Sequence, residues 1–154
     1  MVNDRFEIVI IKSSNLSSFF KEYKPNIDYP KLEEIFKSTS ELCYNQDDVS
    51  FTNVIHACFD KKEKRYCAFL NVGTTTDIDD LVSISIEFLF VEKDYRKIEF
   101  EELGNIKISE FLLIDYVVLS MGEIIKNQIG INSVAITPAT DKIRELYSSY
   151  GFQT

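Results

Sequence analysis

Residues 82–91 read Val-Ser-Ile-Ser-Ile-Glu-Phe-Leu-Phe-Val and form the strongest strand pattern in the 154-residue chain. Their β-branched and aromatic side chains favour a strand, and successive side chains of a strand point to opposite faces. Strict alternation predicts one apolar face made of Val82, Ile84, Ile86, Phe88 and Phe90. The other face then changes from polar to apolar along the strand, in the order Ser83, Ser85, Glu87, Leu89 and Val91.

The N-terminal part of the chain predicts one strand and two short helices. Residues 6–11 are rich in β-branched side chains and predict the first strand. Asn15 is a residue type that begins helices, and Pro25 and Pro30 separate the two helices that we expect next. The apolar residues of these helices are Leu16, Phe19 and Phe20, followed by Leu32, Ile35 and Phe36.

A β-hairpin is predicted immediately upstream of the strongest strand. Two apolar stretches, residues 54–59 and 66–72, flank the charged residues 60–64, as two antiparallel strands flank a turn. Residues 73–80 are expected to be a polar loop that leads into residues 82–91.

The C-terminal part predicts a helix, a short strand and a last helix. Apolar residues nearly encircle the predicted helix over 109–128, which indicates a helix buried on a sheet. Ser109 is expected to be its N-cap and Gly130 its left-handed C-terminal residue. A strand follows at 133–136, and the last helix begins after Pro138 and ends at Gly151. This order of elements predicts one mixed α/β domain over residues 1–154.

Composition narrows the classes of function. The chain has 17 Lys+Arg and 25 Asp+Glu, a net charge of −8, so we expect no broad basic surface and no nucleic-acid partner. Three cysteines without a CxxC pair predict reduced thiols and no metal site. Because neither an export signal nor a membrane-spanning stretch is evident, the expected location is the cytoplasm.

Two stretches resemble the GNAT N-acetyltransferase superfamily. Its closing motif, an aromatic-Tyr pair followed three residues later by Gly-Phe, is similar to residues 143–152, Ile-Arg-Glu-Leu-Tyr-Ser-Ser-Tyr-Gly-Phe. Its fourth strand and the following turn resemble residues 86–96. The resemblance implies a mixed, mainly antiparallel sheet with helices on both faces. Relatives continue into one more strand, whereas this sequence stops at Thr154. The alternatives are a longer native chain, an open sheet edge, or an edge filled by a partner strand, as in a homodimer.

The resemblance also implies acetyl-CoA as co-substrate, lying where the fourth strand splays from its neighbour at a bulge. Its diphosphate would lie at the N-terminus of the central helix, where unpaired N–H groups favour anions. The family's Gln/Arg-x-x-Gly-x-Gly/Ala loop aligns with residues 104–109, where Lys107 and Ser109 replace small residues and 96–103 is an insertion. The cofactor-binding residues implied are Leu89, Phe90, Val91, Asn105, Ile106, Lys107, Ile108, Ser109 and Glu110.

Two catalytic residues are implied by the same resemblance. Tyr147 matches the tyrosine that protonates the departing CoA thiolate in many relatives; the alternative is a core tyrosine on an apolar helix face. Glu87 lies on the strand where several relatives carry a general base for the substrate amine; the alternative is a carboxylate satisfied by neighbouring polar groups. Backbone N–H groups around Leu89 and Val91 would polarise the acetyl carbonyl.

Other reactive residue types are interpreted as structural. His56 is the only histidine, and no nucleophile motif accompanies it, so we expect a packed or exposed strand residue. Cys58 and Cys67 are expected to be small core residues that face each other if Phe59 pairs with Tyr66. The acidic residues of two loops are expected to be solvated or to attract a cationic amine: Asp77, Asp79, Asp80, Glu99, Glu101 and Glu102.

Two functions therefore stay open at this point. The first is acetyl transfer from acetyl-CoA to a primary amine, on a small molecule or a peptide, by direct attack in a ternary complex. The second is a GNAT-like binding or regulatory module that no longer turns over acetyl-CoA, which the altered loop motivates. Acetylation of aminoacyl-tRNA, as in the toxin branch of the family, is disfavoured by the acidity of the chain.

Overall fold

A computed structural model of the chain describes residues 3–11, 15–26, 28, 30, 31, 33, 34, 37, 53–138 and 140–153. Of the predicted second helix, Leu32, Ile35 and Phe36 lie outside the described residues, whereas the described residues 30, 31, 33, 34 and 37 are helical. The elements are β1 (Phe6–Ile11), α1 (Leu16–Glu22), β2 (Val54–Asp60), β3 (Arg65–Thr76), β4 (Val82–Val91), α2 (108–129), β5 (Val134–Ile136) and α3 (Asp141–Ser149).

The five strands form one sheet in the order β1-β2-β3-β4-β5. The first four strands pair antiparallel, and β5 pairs with β4 in parallel. The predicted hairpin is confirmed with Phe59 opposite Tyr66, and the helix between β4 and β5 supplies the crossover that parallel strands need. The mixed, mainly antiparallel sheet is therefore confirmed.

Strict alternation along β4 is wrong, because a β-bulge interrupts the strand at Glu87. Asn71 of β3 pairs with Phe88 and Val72 with Ile86, so Glu87 has no partner across the strand. An extra residue reverses the side-chain parity of the strand beyond it. Ile84 and Ile86 face the same side as Leu89 and Val91, and Phe88 and Phe90 face the other side.

Two apolar clusters cover the two faces of the sheet. On one face, α2 packs its buried residues, among them Leu112 and Val117, against the sheet together with Tyr147 of α3. On the other face, Phe19 of α1 and the adjacent Tyr23 pack against Phe69 and its neighbours. Helices therefore cover both faces, as expected.

Several strands and helices begin or end at other residues than the sequence predicts. Strand β3 continues to Thr76, so the polar loop expected over 73–80 is wrong in its first half; pairing with β4 extends the strand through Gly73 and its threonines. The N-cap of α2 is Lys107 rather than Ser109. The C-terminal Gly130 is confirmed in the left-handed conformation, at φ 75°.

The central helix α2 is not α-helical throughout. Residues Ile108–Glu110 and Gly122–Ile129 are α-helical, but Phe111–Met121 between them form a π-helix. The N–H of Gly122 accordingly bonds to the carbonyl of Val117, five residues back. π-Helical stretches are rare, and apolar periodicity does not distinguish them from an α-helix.

The end of α3 is a Schellman motif. The N–H of Phe152 bonds to the Tyr147 carbonyl at 3.2 Å, and that of Gly151 bonds to the Ser148 carbonyl at 3.0 Å. Gly151 has φ 106°, which L side chains rarely adopt. The rings of Tyr147 and Phe152 pack 6.3 Å apart, so the closing Tyr-x-x-x-Gly-Phe residues have a structural role as a helix cap.

A buried ion pair closes the far end of the sheet. Asp60 is 0% exposed and accepts hydrogen bonds from Arg5 Nε at 3.1 Å and from the Tyr95 hydroxyl at 2.7 Å. Burial would raise the pKa of Asp60, but these hydrogen bonds lower it to about 2.

Within the described residues, none of the helices has the length and apolar character that crossing a bilayer requires.

Candidate active site

Strands β4 and β5 separate shortly after they begin to pair. Their register consists of Ile84 opposite Val134, Ser85 opposite Ala135 and Ile86 opposite Ile136. The pairing ends immediately before the bulge at Glu87. Beyond that point, β4 runs on without β5, and a fork opens between the two strands.

The bulge also decides which backbone groups face the fork. The N–H of Ile84 bonds to the Ser133 carbonyl beside β5, whereas the N–H of Glu92 bonds to the Cys67 carbonyl on β3. Because alternate residues of a strand direct their N–H groups to the same neighbour, the N–H groups of Leu89 and Val91 point into the fork. These are the two amides that the resemblance implied.

A cavity of about 390 Å³ occupies this fork. Its walls come from the end of β4, from residues 96 and 97 after it, from the first turn of α2, and from α3 with the residue before it. The residues around it are Asp28, Leu89, Phe90, Val91, Arg96, Lys97, Ser109, Thr140, Lys142, Ile143, Leu146 and Tyr147. Lys107 is not among them, so this side chain does not plug the fork.

The N-terminus of α2 borders the cavity through Ser109. In a helix that begins at Ile108, the N–H groups of Ile108, Ser109 and Glu110 have no partner within the helix, and no side chain caps this end. The Ser109 hydroxyl lies 2.8 Å from that of Tyr150 and ties the helix to α3. Of the predicted loop residues, Ser109 lines the cavity, whereas Asn105, Ile106, Lys107, Ile108 and Glu110 do not.

The insertion before α2 forms a compact loop of its own. Phe100 and Ile106 form an isolated bridge, and Gly104 and Asn105 between them have positive φ angles of 83° and 65°. The N–H of Asn105 is already bonded to the Phe100 carbonyl at 2.9 Å. This amide is therefore not free for an anion, unlike those at the start of α2.

Three cationic side chains around the cavity were not predicted as site residues: Arg96, Lys97 and Lys142. Arg96 donates to the Val91 carbonyl at 2.7 Å and to both carboxylate oxygens of Asp28 at 3.1 and 3.0 Å. Partial burial would raise the pKa of Asp28, but the hydrogen bond and charge of Arg96 lower it. Arg96 could have been found from sequence, because it ends the stretch 86–96 that resembles the family.

Tyr147 lies at the cavity and in the core at the same time. Its side chain is 8% exposed, and its ring packs against Phe152. Burial, with a smaller effect of Tyr150, raises the pKa of Tyr147 to about 12. Within the part of the chain that the structure describes, its hydroxyl has no hydrogen-bond partner.

Glu87 lies in the bulge and not on the cavity wall. Its side chain is exposed, and its Oε1 accepts a hydrogen bond from the Ser85 hydroxyl at 2.6 Å. The two acidic loops lie at opposite ends of β4, since Asp77, Asp79 and Asp80 precede it and the acidic residues from 99 onward follow it. They do not form one surface.

The remaining reactive residues lie away from the fork. His56 of β2 is buried and its Nδ1 lies 2.5 Å from the hydroxyl of Tyr116 in α2; burial lowers the pKa of His56 to about 4. Cys58 and Cys67 are free thiols in the core. They are not opposite each other although Phe59 pairs with Tyr66, because a register shift between Cys58 and Phe59 places Cys58 opposite Ala68. Within the described residues, no three His, Cys, Asp or Glu side chains gather to hold a metal.

The chain is similar in structure, and only distantly in sequence, to known acetyltransferases. No model of a protein family matches it, and no curated protein matches it in sequence. A predicted acetyltransferase from Clostridium acetobutylicum, solved with acetyl-CoA, is 15% identical with a TM-score of 0.56, covering 97% of this chain and 90% of that one.

Two further structures extend the comparison. AAC(6′)-Iy, solved with a bisubstrate analogue, CoA-S-monomethyl-acetylneamine, is 11% identical with a TM-score of 0.58, covering 98% of this chain and 92% of that one. A chain of the KacTA–DNA complex is 14% identical with a TM-score of 0.64, covering 97% and 86%. At such identities the likeness concerns the fold.

Proposed function

Since this chain has the fold of the GNAT N-acetyltransferases, we propose that it transfers the acetyl group of acetyl-CoA to a primary amine at the fork between β4 and β5. The observation that carries the proposal is the bulge at Glu87. It ends the pairing with β5 and directs two free N–H groups, those of Leu89 and Val91, into a cavity that Tyr147 also lines. A closed sheet would offer neither the space nor the donors.

The residues around the fork fit acetyl-CoA. Leu89, Ile143 and Leu146 provide apolar walls for an extended arm, and Arg96, Lys97 and Lys142 provide positive charge for phosphates. In a chain with a net charge of −8, three cations beside a single carboxylate make a local site for an anion. Free N–H groups at the start of α2 add donors for the diphosphate. When bound, acetyl-CoA supplies an activated thioester.

The backbone of β4 would polarise the acetyl carbonyl. The N–H groups of Leu89 and Val91 are held by the strand and need no rearrangement to donate to an oxygen that gains negative charge. Removal of one such donor in an enzyme typically lowers the rate by about 10²–10³.

Tyr147 would donate a hydrogen bond to the departing sulfur. With its pKa raised to about 12, the phenol keeps its proton at neutral pH. A thiol has an ordinary pKa of about 8.5, so complete proton transfer from this phenol to the thiolate would cost about 5 kcal/mol. We therefore assign Tyr147 to stabilising the developing thiolate by its hydroxyl, while the proton released by the amine ends on the sulfur.

Glu87 would accept the proton of the incoming ammonium. Amines are mostly protonated at neutral pH, and the Glu87 carboxylate lies next to the free amides with one oxygen engaged by Ser85. Because the side chain is exposed and lies outside the cavity wall, the proton would pass through a bound water. The proposal includes small-molecule and peptide amines as acceptors, since both can reach an exposed carboxylate.

Binding of acetyl-CoA tests the proposal directly. We expect a higher melting temperature in the presence of acetyl-CoA, because a ligand that binds only the folded state stabilises it. Lys142→Gln should weaken binding measured by calorimetry by about tenfold, because it removes one charge-assisted hydrogen bond to a phosphate. Lys126→Gln, a substitution of an exposed lysine on the distal half of α2, is the matched control.

The outcome separates the two functions that the sequence left open. Binding followed by release of CoA with any amine supports the transferase. The absence of both a thermal shift and calorimetric heat would overturn it. Binding without turnover across a broad panel of amines would leave a binding module.

A further inference from the structure

A second cavity lies at the hairpin end of the sheet, on the face that α1 covers. It has a volume of about 440 Å³ and lies between the C-terminal end of α1, the tip of the β2–β3 hairpin and Glu92, the residue after β4. We call it the hairpin cavity. It shares no lining residue with the cavity in the fork.

Glu92 is a buried carboxylate without a cationic partner among the described residues. The residue is 7% exposed, and its Oε2 accepts one hydrogen bond, from the backbone N–H of Asn26 at 3.3 Å. No salt bridge in the described part of the chain includes it. Buried carboxylates are almost always paired, because the loss of hydration is otherwise uncompensated. A positively charged ligand would supply the missing partner.

Tyr23, whose hydroxyl lies beside Glu92, gives a second reason to expect a ligand. It is 7% exposed and lines the same cavity, yet its hydroxyl is buried and has no hydrogen-bond partner among the described residues. Burial and the nearby Glu92 carboxylate raise the pKa of Tyr23, so the hydroxyl stays protonated. Most buried hydroxyl groups are hydrogen-bonded, and a polar ligand group beside Glu92 would satisfy this one.

Aromatic rings form the wall above these two groups. Tyr66 packs edge-to-face on Tyr23 at 6.1 Å and on Phe59 at 5.2 Å. Aromatic faces attract organic ammonium groups and cover apolar side chains. The interior of the cavity therefore combines a carboxylate and a phenol on its floor with aromatic rings on its wall. Such groups bind an ammonium ion that is attached to an apolar group.

The rim of the cavity carries more positive than negative charge. Lys24 and Lys64 line it and are exposed, and one exposed carboxylate, Glu22, lies with them. Arg65, also on the rim, is engaged by Asp94 at 2.8 Å. Two exposed lysines disfavour a ligand with several positive charges and favour one with a negative group directed outward. A zwitterion satisfies both the floor and the rim.

We propose that the hairpin cavity is a binding site for a free amino acid, with its ammonium group on Glu92 and Tyr23, its side chain on the aromatic wall and its carboxylate toward Lys24 and Lys64. The site does not depend on the proposed acetyl transfer. It lies on the opposite face of β4 from the α2 cluster, and its occupant would contact Asn26.

Three matched compounds test the charge pattern: L-phenylalanine, phenethylamine, which lacks the carboxylate, and 3-phenylpropionate, which lacks the ammonium group. Calorimetry on the full chain should show binding of L-phenylalanine without CoA, and the same binding when CoA is added. Phenethylamine should bind at least about fivefold more weakly, because the rim charges repel it, and 3-phenylpropionate should not bind. Loss of L-phenylalanine binding when CoA is added would place the ligand in the fork and overturn the proposal.

Two variants test the floor of the cavity. Glu92→Gln should weaken L-phenylalanine binding by at least about tenfold, since it removes the counter-ion, and Tyr23→Phe should weaken it by about fivefold. Glu63→Gln, at an exposed position of the hairpin turn, is the matched control and should bind normally. Without ligand, Glu92→Gln should melt at the same or a higher temperature, because it removes an unpaired buried charge.

The results have a single interpretation in each direction. Binding that requires Glu92 and both charges of the amino acid supports the site. Equal binding by Glu92→Gln, equal binding of phenethylamine, a Glu92→Gln variant that melts at a lower temperature, or no binding of any of the three compounds would overturn it.

Discussion

Tyr147 has a structural role and also lines the cavity that we propose as the active site. Its carbonyl accepts the Schellman hydrogen bond from Phe152, and its ring packs on Phe152. The same side chain lines the fork. The sequence offered a core role and a catalytic role as alternatives, and the residue lies where the two are compatible. A substitution that keeps the ring therefore isolates the hydroxyl.

Tyr147→Phe should lower kcat for acetyl transfer by about 10²-fold, the effect of removing one positioned hydrogen-bond donor to a developing negative charge. The melting temperature should change little, because the hydroxyl has no hydrogen-bond partner among the described residues. Steady-state kinetics with acetyl-CoA, together with a thermal melt, measures both.

Tyr116→Phe is the control for this substitution. It also removes a phenol from the core, but one that bonds to His56 away from the fork. It should lower stability and leave kcat unchanged. A Tyr147→Phe variant with full activity would exclude the hydroxyl from the reaction.

Asp60→Asn should lower the free energy of unfolding by about 3 kcal/mol, because it leaves Arg5 without its buried partner. The carboxylate has no exposed surface and accepts hydrogen bonds from Arg5 and Tyr95. Urea unfolding at pH 7 measures the loss. Asp94→Asn breaks an exposed pair with Arg65 and should cost less than about 1 kcal/mol; equal losses in the two variants would contradict this argument.

At the scale of single elements, one inserted residue in β4 determines the site. Alternation predicted a continuous apolar face from Val82 to Phe90, and the bulge divides it. The division has two consequences: the phenylalanines turn to the α1 face, and the free N–H groups move to Leu89 and Val91. The resemblance implied a bulge in this strand, and the structure places it at Glu87.

Gly151→Ala should lower the free energy of unfolding by about 1–2 kcal/mol, because φ 106° is strained for a residue with a Cβ. A Cβ at this position would meet no neighbouring atom within 4 Å, so the cost comes from the backbone. Chemical denaturation measures it. Gly151→Asn should lose less, since Asn tolerates positive φ better, and Ser148→Ala, on the exposed side of the same helix, should lose nothing; a Gly151→Ala variant as stable as the parent would contradict the cap.

At the scale of the whole molecule, acid stability depends on a buried histidine between β2 and α2. The pKa of His56 is about 4 in the folded chain and about 6.5 when unfolded. Because the folded pKa is depressed, this stability is complete above pH 6.5 and is lost as the pH falls toward 4. The loss should reach about 3 kcal/mol.

Urea unfolding between pH 7 and pH 4.5 measures this effect. His56→Gln should make the free energy of unfolding less dependent on pH in that window. The loss of stability below pH 4, where Asp60, with a pKa of about 2, becomes protonated, should remain. An unchanged slope in His56→Gln would assign the effect to other groups.

The overall charge and the charge of the fork differ in sign. The chain has a net charge of −8, yet the fork has three cations and one carboxylate. Net charge argues against a long nucleic-acid contact surface, whereas the local cations suit a small anion. The placement of charged side chains around the fork, and not the net charge of the chain, therefore decides which ligands suit the cavity.

Local chemistry encoded in the sequence determined the elements themselves. Features that depend on residues close in the chain were predictable. They are the strands at residues 6–11 and 82–91, the helix ends at Thr140 and Gly130, and the hairpin in which Phe59 pairs with Tyr66. The resemblance at residues 143–152 added the fold, which the structure confirms.

Tertiary structure alone decided the rest. Four features depend on residues far apart in sequence: the position of the bulge at Glu87, the end of β4–β5 pairing after Ile86, the cavity that Lys142 and Arg96 both line, and the burial of Glu92 without a salt bridge among the described residues. Periodicity describes which side chains a segment can bury, but strand register and the meeting of distant elements arise from packing the whole sheet between its two layers of helices.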